Sequence, residues 1–139
     1  MRLLLFSFFI SIIAIYMGNA QSLETYKWKH RVILLVDDHK DSEDLVSQLK
    51  SLNAFPEEIR ERDVLVFLVT PNKVYNENGK IISLDASKFV KNKFRGVLLI
   101  GKDGTLKLRK AFKVEPQTIF SLIDGMPMRR AEIKGYKNQ

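Results

Sequence analysis

The chain has 139 residues, 28% of them charged and 45% hydrophobic, with a formal net charge of +7 and no cysteine. That length suits one domain and is too short for two of ordinary size. Without cysteine there can be no disulfide, no thiol nucleophile and no thiolate-ligated metal, which excludes any thiol redox cycle run by this chain itself.

The first segment reads as a targeting signal. Arg2 is followed by Leu3 to Met17, apolar except for Ser7 and Ser11, and then by the small residues of Gly18-Asn19-Ala20. This pattern predicts a signal peptide over residues 1–20, cleaved after Ala20, and a single domain over residues 21–139. The alternative is a retained anchor helix. At about 1.5 Å per residue, however, the apolar run falls short of a hydrocarbon core about 30 Å thick. The expectation is a secreted or periplasmic protein with no transmembrane span after cleavage.

The first predicted strand is Arg31–Val36, a continuous apolar run of the kind that is buried on both faces. A polar turn, Asp37-Asp38-His39-Lys40, leads to a helix over 41–53, with Asp41 as cap and Glu43 and Asp44 in its first turn. Leu45, Leu49 and Leu52 form its apolar stripe. Pro56 stops that helix and opens a second turn through Glu61. The second buried strand is predicted over 63–69. Residues 75–80 read as polar, with an Asn78-Gly79 turn. Asp85 is placed as the cap of a third helix over 85–94, with Ala86, Phe89, Val90 and Phe94 inward. Strands over 97–100 and 106–109 flank a hairpin turn, Lys102-Asp103-Gly104-Thr105. The last helix, 116–124, has Pro116 at its first position, Ile119, Phe120, Leu122 and Ile123 inward, and Gly125 at its end.

The order is βαβ, helix, ββ, helix. That order predicts an α/β, thioredoxin-like layout: a mixed four- to five-stranded sheet flanked by helices.

One run fits no ordinary element: Met126-Pro127-Met128-Arg129-Arg130. It is expected to be a latch, with both methionines filling core gaps and Asp124 and Glu132 as partners for Arg129 and Arg130; the alternative is an adaptable partner surface. Together with Trp28, Arg31, Arg62, Asp63, Gly101-Lys102-Asp103-Gly104, Lys107, Arg109, Asp124 and Glu132, it carries a resemblance. Over about residues 26–132 the chain resembles the P-DUDES family, domain of unknown function 4174. This thioredoxin/peroxiredoxin-like domain occurs in bacterial secreted proteins and in the vertebrate matrix proteins equarin and the sushi-repeat-containing proteins. The resemblance implies a fold and a set of motif residues, and it implies no chemistry. The family's matrix members imply cell-surface or matrix proteins as partners. Two departures separate the chain from thioredoxin-like enzymes: the first βα turn has no sulfur, and Lys93-Phe94-Arg95-Gly96 has no proline before the third strand.

Other chemistries find little support in the sequence. Asp37, Asp38, His39 and Asp41 lie on one short turn without a second histidine, so no metal site and no cofactor are expected. Lys102-Asp103-Gly104 lacks the glycines and following helix of a phosphate loop. Trp28 is read as a cap on the core where the first strand begins, with an aromatic ligand platform as the alternative. The charge, by contrast, is unevenly spread. Residues 80–139 carry 14 Lys and Arg against 5 Asp and Glu, while residues 21–79 carry 8 against 11. A basic half points to polyanionic partners, with no specific nucleic-acid recognition. Lys107, Arg109, Lys110 and Lys113 are the candidate anion-binding residues, joined by Lys88, Lys91 and Lys93. The functional expectation is a binding module for anionic surfaces or a protein partner. The alternatives are a non-thiol enzyme working at the polar turn after the first strand, or a structural, stress-related envelope protein.

Overall fold

The computed structural model describes residues 19–139. The expected signal segment lies almost wholly outside the described residues.

A six-stranded mixed sheet is ordered β5-β4-β3-β2-β7-β8. Its centre is β2, Arg31–Val36, parallel to β3, Val64–Val69, and antiparallel to β7, Gly96–Ile100. All six residues of β2 are buried. Successive side chains of a strand point to opposite faces, so one strand serves two cores. Ile33 and Leu35 meet Leu45, Leu52, Ile119 and Ile123 on the helical face. Val32, Leu34 and Val36 meet Leu23, Leu84 and Ala86 on the other. Both cores lie wholly within residues 23–126.

Between β2 and β3 run α1, Glu43–Asn53, and α2, Pro56–Glu61. The cap of α1 is Ser42 and not Asp41: its hydroxyl oxygen accepts the Leu45 N–H at 3.3 Å and donates to Asp37 at 2.5 Å. Asp41 stays exposed.

The sheet has six strands against the four to five expected, and two of them were not predicted. β4, Val74–Asn76, and β5, Ile81–Ile82, extend the sheet around Asn78-Gly79. The turn closes because Asn76 Oδ1 accepts the N–H groups of Asn78 and Lys80 at 3.0 and 2.9 Å. Strands of three and two residues carry too little alternation to register as a pattern.

The third predicted helix is absent. Within 85–94, Leu84–Asp85 is instead a strand, β6, parallel to β1, Gln21–Ser22. Asp85 does cap, accepting the Ser87 N–H at 2.9 Å, but only one turn follows. Asn92 and Lys93 then take φ of 58° and 51°, which end any right-handed helix. The apolar positions were nonetheless placed correctly: Ala86, Phe89, Val90 and Phe94 all cover the second core.

β7 and β8, Leu106–Lys110, form the expected hairpin, with a bulge between Leu99 and Ile100. Gly104 supplies the positive φ, +78°. At Gly96, φ is +148° and a Cβ would lie 2.2 Å from the Lys110 carbonyl oxygen, so only glycine fits. The helix α3, Pro116–Asp124, matches its prediction, although Leu122 is exposed and Gly125 is right-handed. What ends α3 is Pro127, which starts a new helix, α4, Pro127–Lys137. The run that fitted no element is therefore a helix start, with Met126 extended before it.

Candidate functional site

Seven of the motif residues converge at one end of the sheet. Arg31 opens β2, Asp63 precedes β3, Lys102 follows β7, and Arg129 and Glu132 stand one turn apart on α4. Glu132 takes a two-pronged contact from Arg31, at 3.3 Å to each oxygen, and a third from Lys102 Nζ at 2.6 Å. Lys102 also donates to Asp63 at 2.7 Å. Arg31 Nη1 donates further to the Arg62 carbonyl at 2.8 Å. Arg62 grips Asp124 at 3.0 and 2.7 Å, and Arg129 reaches the same carboxylate at 3.2 Å. Arg129 also donates to the Glu61 carboxylate at 2.8 Å and to the Glu61 carbonyl at 3.0 Å.

Four cations thus face four carboxylates, and Arg31 and Arg129 are almost fully buried. Burial of that kind is tolerable only for paired charges. Burial pushes the Glu132 carboxyl up, but Lys102 and Arg31 outweigh it and hold it below the ordinary glutamate range. Asp124 is likewise raised by burial and lowered more by Arg62 and Arg129. Burial lowers Lys102, while Asp63 and Glu132 raise it above its usual value. All four carboxylates are taken up by cations, and the arrangement's chemistry is that of a clamp joining α4, α3 and α2 to the sheet.

The remaining motif residues fall in other places. Gly101, Asp103 and Gly104 shape the hairpin, whose Asp103 accepts from Thr105 and from Lys107 Nζ. Burial raises the Asp103 carboxyl, but these hydrogen bonds bring it down to about 2. At Gly101 a Cβ would lie 2.7 Å from the Lys107 side chain. Met126 packs on the helical core, whereas Met128 is exposed, so only one methionine fills a gap. Of the two arginines, Arg129 is clamped as expected and Arg130 is exposed. Trp28 does not cap the core: it is 62% exposed, with φ of +68°. Glu61, which with Arg62 and Asp63 also carries the resemblance and is expected to set the entrance to the second strand, belongs to the clamp as a partner of Arg129.

The opposite end of β2 holds the polar turn. Asp37 is buried and accepts from Ser42 and from the Asp38 N–H at 2.7 Å. Arg95 pairs with Asp38 and lies 3.6 Å from Asp37. Beside this turn is a cleft of about 600 Å³ with Val36, Val69 and Phe94 on its walls and Lys73, Lys91 and Lys93 among its polar residues. No three His, Asp or Glu side chains among the described residues converge to hold a metal ion.

On β8, Arg109 and Lys110 point to opposite faces, while Lys107 is the extra residue of the bulge, between Leu106 opposite Ile100 and Leu108 opposite Leu99. The Arg109 guanidinium lies 4.1 Å from the Phe94 ring centroid and donates to the Lys91 carbonyl at 3.3 Å. That contact brings Lys91 and Lys93 beside the β8 edge. Lys88 instead pairs with Glu24 at 3.1 Å.

Sheet order, two-sided core and helical layer together define a thioredoxin-like domain. The chain belongs to the family described as "Domain of unknown function (DUF4174)", whose model matches residues 22–132. Among solved structures it is similar to the reduced Plasmodium vivax 2-Cys peroxiredoxin. The identity is 15% and the TM-score 0.52, over 84% of this chain and 85% of that one. A likeness at that identity is one of fold. None of the curated proteins matches significantly.

Proposed function

We propose that this is an exported binding module for anionic surfaces, without thiol redox chemistry, and that the β8 edge is its contact face. One observation carries the reading. Among the described residues, Lys91, Lys93, Arg109, Lys110 and Lys113 have no carboxylate within 4.0 Å, while the clamp takes up Arg31, Arg62, Lys102 and Arg129. Five of the unpaired cations of the basic half thus lie along one sheet edge and the loops beside it; the others are Lys80 at the opposite edge and Arg130, Lys134 and Lys137 on α4. Lys107 contributes less than its position suggests, because Asp103 lies 2.9 Å away.

The cleft beside Asp37 is the basis for a non-thiol enzyme. Its carboxylates are already engaged by Ser42 and Arg95, and lysines stand among its polar residues, so it fits a binding face better than a catalytic centre.

The test is retention on immobilised heparin, used as a generic polyanion, at rising salt. Each contact releases condensed counterions, so elution should shift steeply with salt. The variant Lys93→Glu, Lys110→Glu alters two exposed side chains and should elute much earlier with its melting temperature unchanged. Unaltered elution places the face elsewhere. Absence of retention at low salt ends this reading and leaves the structural one.

A further inference from the structure

Trp28 is the only tryptophan in the chain, and the fold makes little use of it. It is 62% exposed and belongs to neither core. Its φ of +68° is costly for a residue with a bulky side chain. Backbone hydrogen bonds hold this shape: the Trp28 N–H donates to the Lys102 carbonyl at 2.6 Å, and Lys29 and His30 donate to the Tyr26 carbonyl at 3.0 and 2.8 Å. The result is a built turn that leaves an indole in water.

Its surroundings are cationic. Lys27 Nζ is 5.5 Å from the indole centroid, and Lys29 has no carboxylate within 4.0 Å among the described residues. Glu24 offsets part of this charge, at 3.9 Å from Lys27. The Lys27 stem lies over Gly104 of the β7–β8 hairpin. The same hairpin presents Leu106, 40% exposed, next to Lys107. Neither of the two cleft regions is lined by Trp28, Lys27 or Lys29. A small molecule would need a concave seat, and neither of these clefts lies at this turn. A bilayer needs no such seat: the indole's apolar body and polar N–H suit the headgroup zone, and lysines beside it suit anionic lipid.

We propose that the Trp28 turn is the point at which this domain docks on an anionic lipid bilayer. Trp28 enters the headgroup zone, and Lys27 and Lys29 meet lipid phosphates. This rests on the anionic-surface reading above and names its surface.

The experiment uses the chain from Gln21 onward, which holds both cores and every clamp residue. The probe is vesicles of phosphatidylcholine with phosphatidylglycerol, and Trp28 emission is the local reporter. Emission should shift to the blue and become shielded from acrylamide with these vesicles, and do neither with phosphatidylcholine alone or with heparin. Trp28→Gly should weaken vesicle partitioning about tenfold, the equivalent of a partly buried aromatic. Its melting temperature should hold or rise, because glycine relieves the left-handed backbone. Co-sedimentation with unshifted emission overturns the proposal and leaves the β8 edge as the contact. An equal shift with heparin overturns the lipid assignment. A melting temperature lowered in Trp28→Gly makes the indole structural. Retention on heparin without vesicle binding ends this proposal alone; loss of both ends it together with the reading beneath it.

Discussion

Glu132 shows how much one side chain can determine. Its carboxylate is shared by Arg31 and Lys102, both of which the fold buries. Replacing it with glutamine keeps the shape and removes the charge, leaving two buried cations under-compensated. The expected loss is about 2 kcal/mol of stability, below the cost of breaking a fully buried pair because Glu132 is partly exposed. Denaturant unfolding of Glu132→Gln checks this, with exposed Glu77→Gln as the neutral reference. Arg129 was legible in the sequence as a residue seeking a carboxylate, and Asp124 as one partner. Its second partner, Glu61, was not, since contacts across 68 residues leave no local trace. Trp28 was misread for a related reason: its placement is set by a backbone bond to Lys102, far along the chain.

At the scale of elements, α4 is the piece whose attachment depends most on charge. Glu132 and Asp124 both have carboxyls held below their ordinary range. A carboxyl depressed in the folded state adds stability that is complete above its unfolded value, near pH 4, and lost as pH falls through the folded one. The clamp should therefore be unchanged from neutrality to about pH 5 and weaken below about pH 4. Hydrogen exchange along the chain should show α4 amides losing protection under acid before those of β2 and β3. Simultaneous loss would mean that α4 is held by packing alone.

Strands and helices differed in how well they could be read in advance. β2, β3 and β7 are long apolar runs and were unmistakable, whereas β4, β5 and β6 are two or three residues long and were invisible. Residues 85–94 had the apolar spacing of a helix, yet Asn92 and Lys93 turned left-handed and the segment became a strap. Apolar spacing placed its inward residues correctly without fixing its backbone.

For the whole molecule, architecture and chemistry separate. The fold is shared with a peroxiredoxin, but the chain has no cysteine. The purified protein should not reduce insulin disulfides, and peroxide consumption in the presence of thiols should match buffer. Turnover that persists after contaminating thioredoxins are removed would assign a non-thiol activity, with the Asp37 cleft the first place to look. The motif residues, taken together, were legible as a set before their purpose was. They turn out to describe one clamp and one hairpin, and the charge they leave uncompensated lies elsewhere.

The clamp also has a consequence for the order in which this chain can fold. It joins residue 31 to residue 132, so the charge of Arg31 has no carboxylate, and Lys102 only Asp63, until Glu132 has been synthesised. Both hydrophobic cores are complete by Met126, yet a nascent chain of that length would still carry an unanswered Arg31 at the base of its central strand. Closure of this end is thus a last event, reserved for the finished product. A chain stopped after Met126 should be cleaved readily by protease under conditions in which the full chain survives. Equal resistance would show that the cores alone complete the fold.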